Sequence, residues 1–226
     1  MYNNNKIIGI IPARSGSKRI KDKNKTILAG KPLITHTITQ AIKSKFIDQI
    51  VLSTDDADIL SLGIEYGVKE SILRPAELAL DNTPSIAVVR HILKLYPDFQ
   101  IIVLLQPTSP LRKADDIDGA IKKMFSLSAP ACISVSEFQK SPYWLYNISS
   151  EQKLISLLEK KIEEQNKIYI INGAVYVAKI DWLADKKSFL SKETVGYSMP
   201  NERAIDIDEE IDLGYAEYLM SLKNHS

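Results

Sequence analysis

Short apolar runs alternate with amphipathic stretches through the first 136 residues, and this alternation narrows the possible folds more than any other feature. Ile7–Ile11, Gln49–Ser53, the neighbourhood of Ile72, Gln100–Leu105 and Ala131–Ser136 read as strands buried on both faces. Between them, Ile34, Ile38, Ala41 and Ile42 share one helical face, as do Ile86, Val89, Leu93 and Tyr96. Ile117, Ala120, Ile121, Met124 and Phe125 supply a third inward stripe, in a helix opened by Asp115. Asp58 to Tyr66 is a further helix, closed by Gly67, and Thr83 is placed to cap the helix that has Pro84 at its first position. Strand–helix–strand order predicts parallel strands joined by right-handed crossovers. The spacing therefore predicts an α/β chain with a three-layer Rossmann-like core around a mostly parallel central sheet. Such sheets bind ligands beyond the carboxyl ends of their strands.

The segments at those ends are polar. Pro12 has no N–H to give a ladder, so the first strand is expected to end there. Ser15, Gly16 and Ser17 allow a tight turn that can aim backbone N–H groups into one concavity. Arg14, Lys18 and Arg19 surround it, and Lys21, Lys23 and Lys25 extend the charge. The fit is to a small anion, most simply a polyphosphate. Neither G-x-x-x-x-G-K-[ST] nor G-x-G-x-x-G is present, so this is not one of the two common phosphate loops. The second strand ends in Ser53-Thr54-Asp55-Asp56, which suits a helix cap. Leu73 to Ser85 is a long connection whose only cation is Arg74. Gln106-Pro107-Thr108-Ser109-Pro110-Leu111-Arg112 makes a stiff tip on the central strand. His36 has no metal-ligand partner four residues on and reads as structural.

Composition limits the alternatives. The 226 residues carry a net charge of +1, which argues against a nucleic-acid binder working by bulk charge. No apolar run reaches the length of a membrane span, and the first residues lack the apolar centre of a signal peptide. A lone cysteine, Cys132 in a strand-like run, points to a buried thiol and a cytoplasmic setting.

After Glu137 the regular alternation stops. Lys140-Ser141-Pro142-Tyr143-Trp144 is aromatic and irregular, Leu154 to Glu164 reads as an amphipathic segment, and Ile168 to Lys179 as a strand interrupted at Asn172-Gly173. We expect a core formed by residues 1–136 and 176–226, with residues 137–175 as an excursion apolar enough to dimerise or to act as a lid. The last helix shows an apolar stripe of Ile211, Tyr215, Tyr218 and Leu222. Before it, Asp206 and Asp208 alternate with Ile205 and Ile207. In a strand these two carboxylates would leave one face, an arrangement that favours a cation between them. Mg²⁺ held by two carboxylates and substrate phosphates fits that pattern.

Taken in order, Ile11-Pro12-Ala13-Arg14 with Ser17-Lys18 and Lys23-Asn24, Ser53-Thr54-Asp55, Leu73-Arg74-Pro75 with Glu77-Leu78 and Asp81, Gln106 to Arg112, Asn172-Gly173-Ala174 and Asp206-Ile207-Asp208 closely resemble the acylneuraminate cytidylyltransferases. The resemblance implies that CTP and a nine-carbon 2-keto (nonulosonic) sugar acid, N-acetylneuraminate first among them, give the CMP-sugar and pyrophosphate. It implies Arg14, Lys23 and Asp208 as catalytic residues. Ala13, Arg14, Ser17, Lys18, Lys23, Asn24 and Arg74 would bind CTP. Ser85, Gln106, Lys140, Asn172 and Tyr176 would bind the sugar acid, with Asp206 and Asp208 on Mg²⁺. It also implies a homodimer. Legionaminic or pseudaminic acid is the near alternative, 3-deoxy-octulosonic acid a more distant one, and a nucleotide- or RNA-binding module the non-enzymatic one. One stretch departs from the pattern. Where relatives carry an arginine before Asn172, Glu163-Glu164-Gln165-Asn166-Lys167 stands here, leaving Lys140, Lys161 or Lys167 to meet the sugar carboxylate.

Overall fold

A computed structural model describes residues 1–158 and 167–223. The chain runs through β1 (Ile7–Ala13), β2 (Ile27–Leu28), β3 (Lys31–Pro32), α1 (Leu33–Lys43), β4 (Gln49–Thr54), α2 (Ala57–Glu65), β5 (Glu70–Leu73) and α3 (Ser85–Leu95). It continues through β6 (Ile101–Leu104), α4 (Ala114–Ser126), β7 (Ala131–Glu137), β8 (Tyr146–Ile148), β9 (Leu154–Ser156), β10 (Tyr169–Lys179), α5 (Ile180–Lys186), β11 (Val195–Ser198) and α6 (Glu210–Lys223). Seven strands form one sheet in the order β11-β7-β10-β6-β1-β4-β5, with β6 in the middle. Only β10 runs antiparallel to its neighbours; the other pairings are parallel.

The buried runs explain both faces of this sheet. Side chains alternate along β1, so Ile7 and Ile11 join the cluster under α1, α2 and α4, where Ile34, Ile38, Ile59 and Ile117 pack. Ile8 and Ile10 face Val89 and Ile92 of α3 and Leu183 of α5. Fully buried side chains of this kind each contribute about 1.5–3 kcal/mol. A third cluster, Ile20, Leu28, Leu33, Leu111, Ile207, Ala216 and Leu219, lies beyond the sheet and seats α6.

Several expectations are corrected. β1 does not end at Pro12, which pairs in register with Ser53, and Ala13 pairs with Thr54. The proline is tolerated because β6 stops opposite Ile10, where Leu105 N–H donates to Ile10 O at 3.0 Å. The ring nitrogen of Pro12, two residues on, points toward that same side, beyond the last ladder bond. Ile42 is exposed rather than part of the buried stripe of α1. Lys31-Pro32 precedes α1 as half of a two-stranded hairpin turned by Ala29 (φ 48°) and Gly30 (φ 78°). Pro84, not Thr83, holds the cap position of α3, and Thr83 Oγ1 donates instead to Glu77 O at 3.4 Å. Asp116, not Asp115, caps the start of α4, accepting from Lys113 N–H at 2.9 Å.

The excursion folds locally as the β8–β9 hairpin. Leu154, read as the start of an amphipathic segment, is therefore in a strand; residues 159–166, which include Lys161 and Glu163 to Asn166, lie outside the described residues. From Tyr169 the chain pairs with β7 at Glu137, and the β10 register shifts between Ile171 and Tyr176 around Gly173 (φ 75°). The stripe of α6 is reversed. Ala216 and Leu219 are buried, while Ile211 (76% exposed), Tyr215, Tyr218 and Leu222 face outward. Among the described residues no helix is long and apolar enough to cross a membrane.

Candidate active site

Parallel register brings the ends of β1, β4, β5 and β6 to one edge of the sheet, since Ala13 is level with Thr54 and Thr54 with Leu73. A cavity of about 430 Å³ opens there, lined by the basic loop, the 74–85 connection, the Gln106-Pro107-Thr108 tip and Asp208. Asp55, outside the lining, anchors the basic loop. It accepts Ser15 N–H at 2.9 Å and Ser15 Oγ–H at 2.6 Å. Burial opposes the Asp55 carboxylate, but the Ser15 hydrogen bonds and the Arg74 charge prevail and hold it below its usual range. Asp56 is the helix cap, accepting Asp58 N–H at 2.8 Å, and Lys25 bridges from the loop to it at 2.9 Å. Asn24 Nδ2 donates to Arg14 O at 2.9 Å, folding the loop back on itself.

These bonds change how the loop presents charge. Ser15 N–H is committed to Asp55 and Ser17 N–H donates to Ser15 O at 3.0 Å, so the expected backbone concavity gives way to side-chain cations. Those cations are engaged by acids in turn. Asp81 meets both Arg14 and, at 2.7 Å, Lys18. Asp208 meets Lys23 at 3.3 Å and Arg19 at 3.2 Å. Lys23 Nζ also donates to Ile207 O at 2.7 Å, and Ile207 N–H donates to Thr108 O at 2.8 Å. Residues 204–209 thus form a strap rather than the strand expected, held by the burial of Ile207. Asp208 lines the large cavity and Asp206 lines a second one, of about 290 Å³. Arg203 roots the strap by donating to the fully buried Asp116 from Nε at 3.0 Å and Nη2 at 2.6 Å.

The second cavity shares Gln106 with the first and is lined by Ser136, Asn172, Gly173, Tyr176 and Asp206. Asn172 Oδ1 accepts Ser134 Oγ–H at 2.6 Å and Ala174 N–H at 3.2 Å, while its buried Nδ2 has no partner among the described residues. A side chain at Gly173 would lie 2.9 Å from Gln106 Oε1 and 3.6 Å from Asp206 Oδ2, so only glycine lets these groups converge. Burial raises the Asp206 carboxyl above its usual value, with a Thr108 hydrogen bond opposing and the Asp208 charge adding. Burial, then the Asp206 charge, raises the Tyr176 phenol.

Beneath both cavities lies Arg112, only 1% exposed. Its Nη1 donates to Gln106 O at 3.2 Å and Ala174 O at 2.5 Å, and its Nη2 to Thr37 Oγ1 at 2.7 Å. Burial, with the Asp116 charge opposing, brings it down to about 9, so it stays protonated at neutral pH.

Of the residues expected to bind a nucleotide, Arg14, Ser17, Lys18, Lys23, Asn24 and Arg74 line the large cavity. Ala13 is a core residue, 1% exposed. Arg74 is buried and donates to Ser53 O at 2.8 Å and Ser53 Oγ at 3.3 Å. Ser85 and Gln106 line the large cavity, and Gln106, Asn172 and Tyr176 the smaller. Lys140 is exposed and lines neither, and Lys167 pairs with Glu137 at 2.8 Å. His36 Nε2 bonds Leu28 O at 2.9 Å, a structural contact. Sequence reasoning missed what Asp55, Arg112 and the Arg203–Asp116 pair do. Asp55 carried a signal, an acid standing beside a second acid that is sufficient for the cap. The other two carried none, because their partners come from distant segments.

The family model described as cytidylyltransferase matches residues 8–198. CMP-N,N'-diacetyllegionaminic acid synthase of Legionella pneumophila is 36% identical, over 98% of this chain and 99% of that protein. N-acylneuraminate cytidylyltransferase of Escherichia coli is 32% identical over 97% of this chain, which spans 53% of that longer protein. The solved structure of CMP:2-keto-3-deoxy-manno-octonic acid synthetase complexed with CTP superposes with a TM-score of 0.75 at 16% identity, covering 96% of this chain and 99% of that one, a likeness of fold.

Proposed function

This chain belongs to the cytidylyltransferase family, and we propose that it transfers CMP from CTP to a nine-carbon 2-keto sugar acid with release of pyrophosphate. The observation that carries the reading is the pair of cavities meeting at Gln106, one cationic and one lined by amide, phenol and carboxylate, with the Asp206-Ile207-Asp208 strap between them. The cationic cavity suits a triphosphate: Arg14, Lys18 and Lys23 would hold its oxygens, and Asn24 fixes the loop that carries them. The smaller suits the sugar acid: the free Asn172 Nδ2–H and the Tyr176 hydroxyl are offered to its oxygens.

In the proposed step, the C2 hydroxyl of the sugar acid attacks the α-phosphorus. An O–P bond forms as the bond to pyrophosphate breaks, and the hydroxyl proton passes to a carboxylate of the strap. Little covalent work falls to the protein, because charge spreads over phosphoryl oxygens and is met by positioned cations. Asp206 and Asp208 would hold Mg²⁺. The donor set fits in kind, since Mg²⁺ needs one or two carboxylates plus substrate phosphates, and burial and the Asp208 charge raise the Asp206 carboxyl against the Thr108 hydrogen bond and the Lys23 charge. When bound, the ion would neutralise phosphate charge.

N-acetylneuraminate and diacetyllegionaminate are both supported as acceptors, the second by the relative matched end to end. A homodimer is supported by the exposed Trp144, Ile148, Leu154 and Ile155 of the excursion. A cytoplasmic setting is supported by the buried free thiol of Cys132. The test is pyrophosphate release from CTP and Mg²⁺ with each nonulosonic acid in turn. Release that needs both the acid and the metal is expected. CTP binding without release in the presence of any of these acids would overturn the reading of the acceptor.

A further inference from the structure

The connection between β5 and α3 is rigid at its root and open at its tip. Arg74 at the root is buried, and its Nη1 donates to Leu78 O at 3.4 Å in addition to the Ser53 bonds. A short 3-10 turn, Ala76–Leu78, follows, and Thr83 N–H donates to Leu80 O at 3.0 Å. Leu80, Asp81 and Asn82 are exposed, and the only charge among them faces back into the large cavity. One oxygen of the Asp81 carboxylate meets Arg14 Nη1 and the other lies 2.7 Å from Lys18 Nζ. Hydrogen bonds from Lys18 and then Arg14, backed by their charges, hold this carboxyl below its usual range, so it is ionised at neutral pH.

A carboxylate spread across two cations copies the way a phosphate group would use them. Both cations line the cavity read above as the triphosphate site, and Asp81 lines it with them. We propose that Asp81 is an affinity- and specificity-determining residue for the nucleotide, an internal anion that occupies Arg14 and Lys18 in the free protein and is displaced by a polyphosphate. The proposal rests on reading that cavity as the CTP site. Because the acid is tethered beside its cations, it competes at high local concentration without any added ligand. An anion of several charges can take both cations from it. A nucleoside without phosphate neither displaces Asp81 nor feels it. After pyrophosphate has formed, the returning carboxylate helps to release it.

The measurement is calorimetric titration of the full chain and its Asp81→Asn variant with CTP and with cytidine. Both pairs are solvent-exposed, so the competition is modest: the Kd for CTP is expected to fall about three- to tenfold in the variant, with the Kd for cytidine unchanged. An unchanged or raised Kd for CTP would overturn the proposal, a rise meaning that Asp81 holds the cations in place for the ligand. An equal shift for CTP and cytidine would also overturn it, assigning the effect to loop shape. No CTP binding by the unaltered chain would remove the reading of the cavity itself. Asp81→Ser, measured in the same way, replaces the asparagine variant if that one fails to fold.

Discussion

Arg112 is a charge kept almost entirely out of water, with both Nη groups on well-placed acceptors and its Nε without a partner among the described residues. Its contacts to Gln106 O and Ala174 O tie together two walls of the candidate site, so its removal loosens the site as well as the core. Arg112→Met would strand Ala174 O and leave Gln106 O with only Ser109 N–H at 3.3 Å and Thr37 Oγ1 at 3.5 Å, at a cost of about 1–3 kcal/mol for a group left unsatisfied and more for the weakened contacts. A total loss of about 3 kcal/mol in urea-unfolding free energy is expected; a loss below about 1 kcal/mol would mean that water or repacking meets those groups. The same scale shows where reading residues one at a time stops. Asp55 and Asp56 are adjacent, identical in type and equally suited to a cap, yet one organises the basic loop and the other the helix. Which does which depends on Ser15, forty residues earlier.

At the scale of the element, β10 is a strand whose ends were legible and whose centre does something else. Its Asn172-Gly173 interruption is a change of register that turns Asn172 inward and brings Gln106 and Asp206 over Gly173. Gly173→Ala would put a Cβ 2.9 Å from Gln106 Oε1 at a backbone φ of 75°. It is expected to raise KM for the sugar acid at least fivefold, leave KM for CTP within twofold, and cost about 1 kcal/mol of stability. Equal rises in both constants, from steady-state kinetics with each substrate varied, would count against a local effect. The helix α6 was legible as a helix but not in its orientation. Its apolar residues fit two faces, and the smaller face was chosen because Ala216 allows close approach to Leu28 and Ile207. The strap before it reads as a strand from its alternation of isoleucine and aspartate. It has no ladder partner, so Asp206 and Asp208 open on two cavities instead of one face.

At the scale of the molecule, Trp144 (73% exposed), Tyr146, Ile148, Leu154 and Ile155 of the excursion are exposed, the kind of apolar residues that mark an interaction surface when they cluster. Light scattering is expected to give the mass of a dimer. The pair Ile148→Glu with Ile155→Glu, both outside the sheet core, is expected to give a folded monomer; a monomeric unaltered chain would remove the proposed interface. The layered α/β architecture was determined by the sequence alone. Buried parallel strands need continuous apolar runs, amphipathic helices need stripes, and both periodicities are local and repeated along the chain. The polar strand tips that line the candidate site were legible for the same reason, since parallel crossovers bring all carboxyl ends to one edge. Tertiary structure alone decided which charges meet there. Asp81 on Arg14 and Lys18, Asp208 on Lys23 and Arg19, and Arg203 on Asp116 join residues from 63 to 189 positions apart. A charged side chain has no periodicity to reveal its partner, and only the packing of the apolar core determines which of many possible partners comes within reach.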